Sequence, residues 1–356
     1  MSDAAAKRRH RLIAAAKVLL AVGIMAFLLY RLQGEDVFNR LLNEPKDWQR
    51  LVLAQVAILT AFSISCVRWY FLVKALGIKF HMSDAFRLGS LGFLLSQVSL
   101  GSIGGDLFKA LVIAKEQPDH QTHAVASVVI DRIVGLYAMI LMASLGLVIA
   151  GGLGEGSEDL RMMAQIVAVA AVFGTVGLIA LFVPATTSDS VRESVEKWPV
   201  VGDTVAQLVD AARLYRDQRR TVFLTILLGL CTHLLLATGL WSIGKGLPVS
   251  SPDFATMLLI GPISLFAGAL PITPSGLGTF EATVESLLTM TGAAKGDGTL
   301  VALTYRVMTY VVAAVGAVYY LSAKKSIDAT LQDVEEGLDA ESGKLDPTDL
   351  ASGELL

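Results

Sequence analysis

Cysteine is almost missing from this chain: Cys66 and Cys231 are the only two in 356 residues, each inside an apolar run and without CxxC or metal-ligand spacing. That argues against a disulfide framework, and two small buried hydrophobes are expected. Charge is sparse as well, at 17% of residues against 54% hydrophobic, and no basic cluster is interleaved with stacking aromatics, so nucleic acid is excluded as a partner. Long polar stretches are also missing. The longest between apolar runs is about 184–220, too short for a soluble catalytic domain, so any chemistry or transport must take place within the membrane part. No cofactor motif is present: "GLWSIGKG" at 239–246 imitates a phosphate loop but lacks its final Ser or Thr. His120 and His123 have the spacing of a metal pair without a strong third ligand, so no metal site is expected.

What is abundant is apolar sequence, with a mean hydropathy of +0.60. Runs near 12–30, 51–72, 122–149, 162–183, 221–243 and 299–321 are long enough to cross a bilayer as helices. The first of these resembles a secretory signal behind Lys7, Arg8, Arg9 and Arg11, but its apolar region is long and no small-residue cleavage site follows, so it is expected to remain as a span. These arginines, the "RLYRDQRR" segment, and Lys324 with Lys325 place both termini in the cytoplasm by the positive-inside rule, in a multi-pass protein of the plasma (inner) membrane. Residues 324–356 hold nine acids against three lysines, which leaves +3 on the rest of a chain whose net charge is −3, and this tail is expected to be disordered.

Six spans close the topology only if two further apolar regions, 85–114 and 255–290, enter and leave on the same side. Each breaks in its middle at small residues, "SLGSIGG" at 99–105 and "LPITPSGLG" at 270–278. Glycine and proline stop a helix there, and such backbone is tolerable at membrane depth only where it is packed in protein or lines a wet cavity. The expected fold is therefore an all-α polytopic membrane protein of about six spans and two re-entrant hairpins, arranged as an inverted repeat. Its segments are 1–50, with the first span and an outer loop; 51–150, the first repeat; 151–220, a span and an amphipathic cytoplasmic connector; 221–321, the second repeat; and 322–356, the tail.

Polar residues repeat with the spans. Asp106 follows the first break and Arg132 comes 26 residues later; Glu281 follows the second and Arg306 comes 25 residues later. Arg132 lies about ten residues, on the order of 15 Å, into its span, too deep to snorkel, and an arginine there costs at least about 2.5–3.5 kcal/mol. A carboxylate partner is expected from Asp106, Asp131 or Glu281, as a functional site or as a structural pair. Arg306 lies nearer the outer edge, where an interfacial anchor is an equal alternative, while Lys17 and Arg68 are expected to snorkel. Asp106 behind Gly104 and Gly105, and Glu281 behind Pro274, Gly276 and Gly278, suit helix N-termini, and Glu285 shares a face with Glu281. The same amides, with Lys109, the arginines and the hydroxyls of Thr273, Ser275 and Thr279, could instead hold a phosphate.

"GGDLFKALV", "ASVVIDRIVGL", "PITPSGLGTFEA" and "LTYRVMTYVV" together resemble the membrane region of the lysylphosphatidylglycerol synthase family, over about 50–321. The resemblance implies a flippase-like fold in which Asp106, Arg132, Glu281 and Arg306 line a lipid-headgroup cavity. The chain departs from the family pattern in lacking a proline in "SLGSIGGD" and in placing Lys109 where arginine is usual. No counterpart of the aminoacyl transferase domain of full-length synthases is found, so lysyl transfer is not expected. The leading expectation is translocation of an anionic phospholipid or polyprenyl-phosphate lipid. A membrane-embedded polyprenyl diphosphate phosphatase, or an accessory protein working beside a separate lipid-modifying enzyme, are the alternatives; oligomeric state is left open.

Overall fold

The computed structural model describes residue 23 and residues 36–97, 103–149, 158–198, 202–273 and 275–342, and every regular element among them is helical. Apart from residue 23, the expected first span at 12–30 lies outside the described residues, as does Lys17. The helices are α1 Asp36–Asn43, α2 Trp48–Ala75, α3 Met82–Ser96, α4 Ile103–Glu116, α5 Gln121–Ile149, α6 Glu158–Leu181, α7 Asp189–Glu196, α8 Gly202–Tyr215, α9 Arg219–Gly246, α10 Phe254–Ala269, α11 Thr279–Met290 and α12 Asp297–Ser342. Helices α2, α5, α9 and the first 25 residues of α12 are long and apolar enough to cross a membrane, and α6 carries a shorter apolar run over Gln165–Ala180.

Local chemistry sets where these helices begin. Asp47 caps α2 by accepting from the amides of Gln49 at 3.0 Å and Arg50 at 3.2 Å, and Asp253 caps α10 by accepting from the Thr256 amide at 2.7 Å. Such a cap supplies an acceptor to amides that have no partner inside the helix. The Thr256 contact holds the Asp253 carboxyl below its ordinary range.

The two expected hairpins form from α3 with α4 and from α10 with α11, and each sits between two spanning helices of its own repeat. The halves exchange roles throughout. Helix α5 packs on the α10 leg of the other repeat and α12 on the α3 leg; α2 contacts α5 as α9 contacts α12. Even the closest approaches correspond: Gly146 of α5 lies against the backbone of Leu258 and Leu259, and Gly316 of α12 against the backbone of Ser90. At the centre, α2 and α9 run antiparallel, because the Asp47 amide donates to the Gly246 carbonyl at 2.9 Å while Gly239 meets Ile58 and Gly229 lies beside Arg68. Two equivalent helices that pack antiparallel are related by a twofold axis perpendicular to both. The repeat is therefore inverted, with its axis across the spans.

Apolar side chains follow this plan. One cluster gathers Ile58, Leu240, Ile260, Phe280, Val284 and Val301 around the second hairpin, and another gathers Trp69, Phe80, Leu88, Phe108 and Ile113 around the first. In the first hairpin the legs touch at glycine: a Cβ on Gly105 would collide with the Gly92 carbonyl. Gly105→Ala is therefore expected to prise α3 from α4 and to cost about 1–3 kcal/mol as overpacking, read as a lower unfolding midpoint of the purified protein in detergent.

The connector after α6 consists of two helices, and the second is docked on the body of the protein. Tyr215 is fully buried among Leu72, Ile130 and Val222, and its hydroxyl donates to the Leu72 carbonyl at 2.8 Å. Burial pushes the Tyr215 hydroxyl pKa upward. The tail departs from expectation: α12 continues without interruption to Ser342, so residues 324–342 are helical, and the rest of the tail lies outside the described residues. The segment has no proline, and a helix already nucleated in the span extends at the cost of one residue at a time.

Candidate functional site

A cavity of about 380 Å³ opens where the hairpins face each other, lined by residues of both repeats. Its bridging contact is Ser275, whose hydroxyl donates to the Gln97 side-chain oxygen at 3.1 Å, linking the end of one hairpin to that of the other. Ser275 has φ 55°, a left-handed conformation that costs a non-glycine residue about 1–2 kcal/mol. Gly276 and Gly278 continue the turn at φ 66° and 85°, where the lack of a Cβ removes that cost.

Each repeat brings one arginine from a spanning helix to one carboxylate in the first turn of a hairpin helix. Arg132 of α5 is bonded to Asp106 of α4, and Arg306 of α12 to Glu281 of α11. Arg132 is eleven residues past the start of α5 and Arg306 nine past the start of α12, so both lie about 14–17 Å along their helices, near half of a hydrocarbon core of about 30 Å.

The two pairs are unequal. Glu281 has no exposed surface; its second oxygen accepts from the Gly278 amide at 2.7 Å, and Arg306 also donates to the carbonyls of Ser275 at 3.2 Å and Gly276 at 3.4 Å. That arginine is spent on the backbone of its own hairpin turn. Arg132 instead keeps 41% of its side chain exposed, and Asp106 shares its other oxygen with Lys109 at 2.8 Å. The Lys109 ammonium also lies over the Trp69 ring, 4.8 Å from its centroid, an attraction between cation and π face.

Several expectations change here. Arg68 does not snorkel: it is 6% exposed and grips Asp131 with two bonds of 2.8 and 3.1 Å, deep between α2 and α5. Asp131 is thereby taken from the candidate partners of Arg132, because a buried carboxylate needs its own cation and the fork of Arg68 fits both oxygens. Arg306 is no interfacial anchor either, since its guanidinium lies under the hairpin turn and 6% of the residue is exposed. Glu285 turns to the start of α12, accepting from the amides of Gly296 and Thr299 at 2.7 Å each. Of the three candidate hydroxyls, Thr279 caps the Gly276 carbonyl at 2.9 Å, Ser275 bridges to Gln97, and the Thr273 oxygen is buried without a partner. Gly104 and Gly105 open α4 beside Asp106; Pro274 lies outside the described residues.

Sequence reasoning missed Gln97 and His233. His233 lines the cavity from α9 and donates from Nε2 to the Gly135 carbonyl at 3.1 Å. No local pattern marks either residue; the bridge to Gln97 spans 178 residues and the contact to Gly135 spans 98.

A helical membrane protein with paired hairpins around a charged internal cavity is the class that the fold and the cavity define. Compared with known families, residues 14–316 match the lysylphosphatidylglycerol synthase TM region, and the chain belongs to that family. No curated protein sequence matches it.

Proposed function

We propose that this protein moves a lipid with an anionic headgroup between the leaflets of the plasma membrane, with both termini in the cytoplasm. The observation that carries the proposal is a charged cavity at membrane depth, enclosed by two re-entrant hairpins and holding the half-exposed Arg132 and the adjacent Lys109. Intramembrane charge is costly and is retained where a polar pathway uses it. Arg132 and Lys109 are the headgroup ligands in this proposal. Arg306 with Glu281 holds the second hairpin turn, and Arg68 with Asp131 ties α2 to α5 behind the site. Membership of a lipid-related membrane family supports the lipid as cargo.

The test uses purified protein in liposomes carrying labelled phospholipids and polyprenyl phosphates, following leaflet exchange and phosphate release in one sample. Exchange above protein-free vesicles, without phosphate release, is the expected result. Release of phosphate would make the protein a phosphatase, and neither signal across the lipid series would leave it an accessory protein.

A further inference from the structure

We infer that the hydrogen bond from Ser275 to Gln97 is a latch between the two hairpin tips, closed against a strained turn, and that its release opens the cavity. The inference goes beyond the function proposed above: it concerns how the cavity opens, whatever occupies it.

Packing leads there first. Each hairpin packs on itself and on spanning helices, α3 on α4 and α12, and α10 on α11 and α5. The cavity lies between the two, and among the described residues the hydrogen bond that joins them runs from the Ser275 hydroxyl to the Gln97 side-chain oxygen at 3.1 Å. A neutral bond of this kind has a modest net worth. One such bond suits a contact that is made and broken, not a permanent seam.

The Ser275 side of the latch is a rigid platform. Arg306 donates to the carbonyls of Ser275 and Gly276, Glu281 accepts from the Gly278 amide, and a Cβ on Gly276 would collide with the Gly268 carbonyl, so the turn is wedged against the end of α10. These contacts hold Ser275 at φ 55°, where any residue with a Cβ is penalised. Two positions earlier the Thr273 hydroxyl is buried without a partner. A backbone outlier fixed by its surroundings and an unsatisfied buried hydroxyl in one turn are stored strain, and such strain collects at switch segments. Glycine would relieve it, as at 276 and 278, but glycine has no hydroxyl to reach Gln97.

The Gln97 side is the end of α3, where the Gln97 amide donates to the Leu94 carbonyl at 3.1 Å. By the offset that relates Asp106 to Glu281, Gln97 corresponds to Ile272, an apolar residue that is 65% exposed. The twofold relation therefore supplies no second glutamine for a matching latch, and the closure depends on this one bond.

Double electron–electron resonance on the purified full chain in lipid nanodiscs tests the latch. Spin labels go on Leu107→Cys and Ile272→Cys, both at exposed hairpin positions, in a Cys66→Ala, Cys231→Ser background. One dominant distance is expected with the latch intact. Gln97→Ala is expected to add a longer distance, the closed-to-open ratio falling about three- to tenfold, within the net worth of one neutral hydrogen bond, with the unfolding midpoint retained. Ser275→Ala is expected to open the hairpins further than Ser275→Gly, because glycine removes the strain that drives the turn out of its closed form. A residue that only shapes the turn would move the unfolding midpoint and leave the distances alone. A folded Gln97→Ala protein with the wild-type distance distribution would overturn the latch, and equal opening in the two Ser275 variants would overturn the strained turn. In liposomes, oxidative cross-linking of Gln97→Cys to Ser275→Cys is expected to stop lipid exchange and reductant to restore it; exchange at an unchanged rate through the cross-link would overturn the latch as the gate. If the distances follow expectation while wild-type protein exchanges no lipid, the latch stands and the translocation proposal fails.

Discussion

Arg132→Ala is expected to lower lipid exchange about ten- to hundredfold, the loss of one charge-assisted hydrogen bond to a phosphate, worth about 1.5–3 kcal/mol. Its effect on stability is expected to be small. The side chain is 41% exposed, and Asp106 keeps Lys109 at 2.8 Å after the arginine is gone, so no carboxylate is stranded. A pair this open contributes about 0–1 kcal/mol. The checks are the exchange rate in liposomes and the thermal midpoint in detergent. A folded Arg132→Ala protein that exchanges lipid at the wild-type rate would remove this residue from the site.

Arg306→Ala is expected to fail in the opposite way. Glu281 has no exposed surface and, among the described residues, no cation but Arg306, whose removal also takes its donors from the carbonyls of Ser275 and Gly276. Breaking a buried pair from one side costs about 3–5 kcal/mol, a large share of the roughly 5–15 kcal/mol that holds a typical domain together. The expected readout is loss of monodisperse protein after extraction, or a much lower unfolding midpoint. The double variant Arg306→Met with Glu281→Gln is expected to recover much of the loss, because neither change leaves a charge alone. Were Arg306→Ala as stable as wild type but deficient in exchange, the second arginine would be a ligand instead of a clamp.

The contrast between these arginines shows what could be read from the sequence. The run lengths, the interruptions at 99–105 and 270–278, and the near-equal spacings of Asp106 to Arg132 and Glu281 to Arg306 mark the hairpins and single out these four residues, because helix breakers and buried charges are local signals, but they leave Arg132 with three candidate carboxylates and Arg306 with an anchor as an equal alternative. The difference in burial between the two pairs is not local. It depends on Arg306 reaching back 30 and 31 residues to the turn carbonyls, and on Lys109 competing for Asp106 where the second repeat has Val284. Arg68 was misleading for a related reason. Counting from the helix end places it within snorkelling reach, but its partner Asp131 lies 63 residues away on a helix whose packing only the fold reveals. The helix through residues 324–342 shows the reverse limit: acidic composition suggests disorder, but the span upstream supplies the nucleus that composition ignores.

The twofold axis across the spans has a consequence for vectorial behaviour. A scaffold whose halves superpose after being turned upside down has no intrinsic top or bottom, so its backbone presents equivalent routes toward either leaflet. Any preference for one direction must then be written in the side chains that break the equivalence. Around the cavity those include Lys109 against Val284, Asp131 against Tyr305, and one arginine held under a turn while its counterpart stays half exposed. If the protein translocates lipid as proposed, the polarity of that transport is set at positions such as these, and reversing it would not require a new fold.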